Sequence, residues 1–149
     1  MEDTKIKQSE EALAEIYRNS QLALQSISNI LPEVEDGRMR TEITGQYEEY
    51  EKISSRALAL AKDKGIELKE PNPIKKMMMW GSIKMNAMSD NSRAHIAEMM
   101  LQGTLMGITA LRKTETELPP DYSDEEVRRL LTEYIRIEED FEKRLKEFL

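Results

Sequence analysis

Apolar residues recur along the chain at intervals of three and four and never alternate, so the pattern predicts helices throughout. Leu13, Ile16, Tyr17, Leu24, Ile27 and Leu31 form one stripe. Met39, Ile43, Tyr50, Ile53, Ala57 and Leu60 form a second, and Val127, Leu131, Tyr134, Phe141, Leu145 and Phe148 the last. Three breaks carry stop and start chemistry. The first runs from Leu31-Pro32 to Asp36-Gly37. The second opens on Lys64-Gly65, a C-terminal glycine cap, and closes on Pro71-Asn72-Pro73, where Asn72 can cap and Pro73 can open a helix. The third is Leu118-Pro119-Pro120, followed by Ser123-Asp124-Glu125-Glu126 at capping-box spacing. Helices are thus predicted over about 5–31, 36–64, 73–113 and 123–149. Short connections favour antiparallel neighbours, giving an all-α, up-down-up-down antiparallel four-helix bundle in a single domain over 1–149.

The third stretch departs from the others. One stripe, Ile74, Met78, Gly81, Met85, Met88, Ser92, His95, Met99 and Met106, is the expected seam towards the core. The opposite side is apolar as well: Met79, Ile83, Ala87, Ala94, Ala97, Leu101, Leu105 and Ile108, interrupted by Asp90. A helix apolar on both sides is expected to be covered twice, and two-fold pairing is the commonest way to supply the second cover. These nine positions are the expected interface of a homo-oligomer, most simply a homodimer. The stretch also holds eight of the ten methionines, either core filler or an adaptable binding groove. Gly81, Gly103 and Gly107 permit close approach, and Ser89-Asp90-Asn91-Ser92 leaves room for a helix break.

Composition narrows the chemistry. With 39% hydrophobic and 34% charged residues, the chain has apolar surface enough for one core. It lacks cysteine, which closes disulfide, thiolate-metal and cysteine-nucleophile chemistry. Residues 73–113 carry a net +4 within a total of −7, leaving −11 to the remainder. Such a balance disfavours a nucleic-acid backbone as partner. Charged residues interrupt the third stretch too often for a membrane span. The charged amino-terminal residues contain neither a signal region nor a lipidation motif, so a cytoplasmic protein is expected, with protein or small-molecule partners. There is no phosphate loop, nucleophile elbow or paired acid-base carboxylates, and no cofactor is expected.

The informative polar residues interrupt the apolar stripes. His95, the only histidine, lies on the expected seam beside Ser92. Glu138 lies on the last stripe between Tyr134 and Phe141. Counting from the third break at ~1.5 Å per residue brings His95 and Glu138 to similar heights, level with Ser20 in the first helix and Tyr50 in the second. A mid-bundle polar layer of His95, Glu138, Tyr50, Tyr134, Ser92 and Ser20 is therefore expected, either structural or the lining of a site. One histidine and one glutamate make at most half of a metal site, so His95 and Glu138 are weak metal candidates.

The stretch Lys76-Met77-Met78-Met79-Trp80-Gly81-Ser82-Ile83-Lys84-Met85-Asn86, with Asn91-Ser92 and His95-Ile96-Ala97-Glu98-Met99-Met100, resembles small bacterial four-helix-bundle proteins of the ferritin-like superfamily. The two Glu-x-x-His pairs that hold metal in such proteins are missing, and His95-Ile96-Ala97-Glu98 has the reverse order. The resemblance therefore implies the shape without oxidase or iron-storage activity. Two functions are weighed: a non-catalytic, self-associating interaction module that uses the third helix, and a degenerate ferritin-like protein holding a metal ion or small ligand at the polar layer.

Overall fold

The computed structural model describes residues 2–70 and 84–149, all helix or connection, with no strand among them. Helix α1, Glu2–Ile30, runs into one 3-10 turn, Leu31–Glu33. Helix α2 spans Gly37–Asp63. Residues 84–89 are helical, and α3, Arg93–Glu117, and α4, Glu125–Lys146, follow. The expected helix start at Asn72-Pro73, the seam positions Ile74, Met78 and Gly81, and the interface positions Met79 and Ile83 lie outside the described residues.

The caps account for these ends. The Asp36 carboxylate accepts from Met39 N at 2.9 Å and opens α2. Gly65, at φ 69°, closes it: Ile66 N–H reaches Ala61 O and Gly65 N–H reaches Lys62 O, the paired bonds of a Schellman end. The cap of α4 is Asp124, one residue beyond the expected Ser123; it accepts from Val127 N at 3.3 Å and pairs with Lys64 Nζ at 2.6 Å. The third helix differs most from expectation. Ser92 caps it, accepting from His95 N, and Asp90 Oδ1 accepts from Ser92 N at 3.0 Å. The side chains of the break thus make their own turn, and α3 starts at 93.

Contacts fix the directions of the long helices. Gln21 of α1 donates to Ser54 of α2 at 2.8 Å. Glu42 and Arg56 of α2 pair with Arg144 and Glu133 of α4, so these two are antiparallel. Asn91, just before α3, reaches Glu33 O, while Ser9 near the start of α1 bonds Tyr122 beyond the end of α3. Arg93 of α3 stacks on Phe148 at the far end of α4. Both α2 and α3 therefore run opposite to α1 and α4, and parallel to each other. Residues 66 and 92 lie at opposite ends of the helices. The expected up-down-up-down order assumed a helix opening at residue 73; the described helix that packs between α1 and α4 opens at Arg93 instead.

The core is built from the predicted stripes of α1, α2 and α4, with Leu13, Ile16, Met39, Ile43, Ile53, Leu131, Phe141 and Leu145 at most 1% exposed. In α3 the buried face is Ile96, Ala97, Met100, Thr104 and Leu111. The expected seam is not buried: Met85, Met88 and Met106 are 73%, 64% and 74% exposed. With two apolar sides, period alone does not say which packs inward, and Ala87 and Ala97 of the opposite side are buried instead.

Candidate functional site

The interior polar layer centres on α4, where Glu138 sits one turn beyond Tyr134 and is 2% exposed. Tyr50 of α2 meets Tyr134 edge-on at 6.2 Å between ring centroids and Phe141 at 5.4 Å. From α3, Gly107 brings bare backbone against the carboxyl. A Cβ there would lie 3.6 Å from Glu138 Oε2 and 3.9 Å from Asn19 Oδ1 of α1. Ser20 and Thr104 are buried, with their hydroxyls donating to Tyr17 O at 2.9 Å and Met100 O at 3.0 Å. These are the back-bonds available to a hydroxyl inside a helix.

The electrostatics follow from burial. Removal from water pushes Glu138 up to about 7, while a hydrogen bond from the Tyr50 hydroxyl pulls the other way. Burial, and then the Glu138 charge, push Tyr50 and Tyr134 well above the usual phenol range. Glu138 Oε2 and Gln46 Oε1 are buried without a hydrogen-bond partner. Gln46 spends its amide on Glu42, which also binds Arg144. The layer is thus rich in acceptors and poor in donors.

Ser20, Tyr50, Tyr134 and Glu138 all lie in this interior. His95 and Ser92 do not join them. Glu138 faces Gly107, 12 residues beyond His95 and so about 18 Å along α3 at ~1.5 Å per residue. The count across the third break misplaced the pair because α3 runs to Glu117, past the Lys113 taken as its end. His95 is part of the α3 cap, with Nδ1 3.9 Å from Asp90 Oδ2 and a side chain 28% exposed. Ser92 caps the helix and lines no site. Of the expected interface, Ala87 and Ala97 are fully buried within the chain and cannot be shared with a partner. Asp90, Ala94 and Leu105 are exposed, and Leu101 and Ile108 half-buried.

Asn19, Thr104 and Gly107 were not singled out for the layer from sequence. Thr104 carries a signal, as a hydroxyl spaced four from Met100 and seven from Leu111 on the face that proves buried, and Gly107 carries another, as a glycine that permits close approach. Among the described residues no three His, Asp or Glu side chains come together as metal ligands. An acidic cleft of about 630 Å³ lies between α1, the end of α3 and residues 67–70, with Glu10, Glu11, Glu15 and Glu117 in its wall. A second groove, of about 660 Å³, carries Arg38 and Arg144. Neither is lined by Tyr50, Tyr134 or Glu138. Compared with known proteins, the chain matches no protein family, no curated protein and no solved structure.

Proposed function

We propose that this protein is a non-catalytic interaction module that pairs with a second copy of itself along the outward face of α3. Its scaffold is a bundle of long helices of ferritin-like shape, with α2 and α3 parallel. The carrying observation is the middle of that helix. Met99–Leu111 contains 13 residues without a charge, in a chain that is 34% charged. Only Met100, Thr104 and Leu111 of these are buried, while Leu105 and Met106 are 43% and 74% exposed. Soluble monomers rarely leave such a surface bare.

Ala94, Leu101, Leu105 and Ile108 share one stripe, at spacings of seven, four and three that suit a helix pair. The flanking charges point to a second copy as the partner. Antiparallel pairing about Leu105 sets Glu98 of each copy opposite Arg112 of the other. The self-pair is thus complementary at both ends. The same reading places the protein in the cytoplasm of a bacterial cell, away from nucleic acid and membrane. Its net charge is −7, and no described helix is long and apolar enough to cross a membrane.

Sedimentation equilibrium tests the proposal. The wild type is expected to be a dimer and Leu105→Glu a monomer. Glu98→Arg should weaken pairing by about tenfold or more, and Arg112→Glu added to it should restore the dimer. A wild-type chain that stays monomeric at its highest soluble concentration overturns the proposal.

A further inference from the structure

Glu138 lies between two helices, against a glycine of the facing one. Its carboxyl lies against Gly107, where an added Cβ would stand 3.6 Å from Oε2 and 3.7 Å from Cδ. Every element packed there presents a neutral or acidic group. From α1 come Asn19, whose Oδ1 borders the same spot, and Glu15, which is engaged by Arg18. From α2 comes Tyr50, from α3 Thr104 and Gly107, and from α4 itself Tyr134. Neither lysine nor arginine faces the carboxyl among the described residues. Oε2 has no partner, and the Tyr50 hydroxyl is the one donor that lowers the cost of charge.

We propose that Glu138 is a proton-controlled latch between α3 and α4: the neutral acid lets α3 close on α4 at Gly107, and loss of the proton opens that seam to water. A carboxylate buried without a cation is costly, and hydration is the available relief. Hydration is easiest at the glycine, where no side chain seals the two helices together. The transition lies near neutrality, because burial raises the carboxyl to about 7. The latch faces inward on α3, on the other side from the Leu105 stripe, so it does not depend on self-association.

Hydrogen exchange in the wild type and in Glu138→Gln, compared at the same pH, tests the latch. Over residues 100–111 the two should match at about pH 5.5, and the wild type should exchange about tenfold faster at about pH 8.5. Equal exchange at both pH values, or an equal difference at both, overturns the latch. A second measurement uses the wild type alone, with the glutamate carboxyls labelled with carbon-13. The Glu138 resonance is expected to titrate near 7 together with the Gly107 amide. Titration near the ordinary value of 4.5, or a Gly107 amide indifferent to it, overturns the latch independently of how Glu138→Gln folds.

Discussion

At the scale of single residues, Glu138 sets the sign of a pH effect. Its carboxyl is raised to about 7 in the folded chain from an ordinary 4.5. Between those values the native state holds a proton that the unfolded state has released. The stabilising contribution is therefore complete below about 4.5 and is lost as pH rises through about 7, by up to about 3 kcal/mol. Urea melts of wild type should show this fall, and Glu138→Gln should lack it. Tyr50→Phe removes the hydrogen bond that pulls the carboxyl down, so the wild-type titration should move to higher pH in that variant; a move to lower pH would assign the donor to another group. Glu138, Tyr50, Tyr134 and Ser20 could be picked out of the sequence because each is polar or amphipathic on an otherwise apolar stripe. Asn19 could not, and Gly107 only as a place of close approach, because what matters is which residue lies across the helix gap, and a one-helix pattern carries no information about that.

At the scale of elements, the ends of α2 were readable because Asp36-Gly37 and Lys64-Gly65 are local signals that need no tertiary context. Gly65→Ala would place a Cβ at φ 69°, and should cost about 1 kcal/mol in thermal denaturation, chiefly by fraying the end of α2. The start of α3 was legible only as room for a break at Ser89-Asp90-Asn91-Ser92. Asp90-Asn91-Ser92 has strong cap chemistry, but apolar periodicity runs across it in register closely enough to imitate one long helix. Ser92→Ala removes the oxygen that receives His95 N and should destabilise the chain by about 1 kcal/mol. Faster exchange should be confined to the first turn of α3. An effect spread through α1 and α4 would mean that Ser92 does more than cap.

At the scale of the whole molecule, an all-helical fold and one core follow from the periods, whereas the path between the helices does not. Local punctuation fixes where helices stop; it leaves open whether the next begins at the near or the far end, and that choice rests on contacts of long sequence separation such as Asn91 with Glu33 and Arg93 with Phe148. The two alternatives differ by a measurable length. With α2 and α3 parallel, their first turns share one end: the guanidinium carbons of Arg38 and Arg93 lie 5.6 and 6.0 Å from the same Phe148 ring centroid. With the order up-down-up-down, those turns would stand apart by the length of α2, whose 27 residues extend about 40 Å at ~1.5 Å each. The chain has no cysteine, so Arg38→Cys combined with Arg93→Cys accepts two spin labels without competing sites. Dipolar spectroscopy on the doubly labelled chain, diluted with unlabelled protein to suppress distances between copies, should give the short separation. A dominant separation near 40 Å would reverse α3, and with it both the placement of Gly107 against Glu138 and the charge register of the proposed pair.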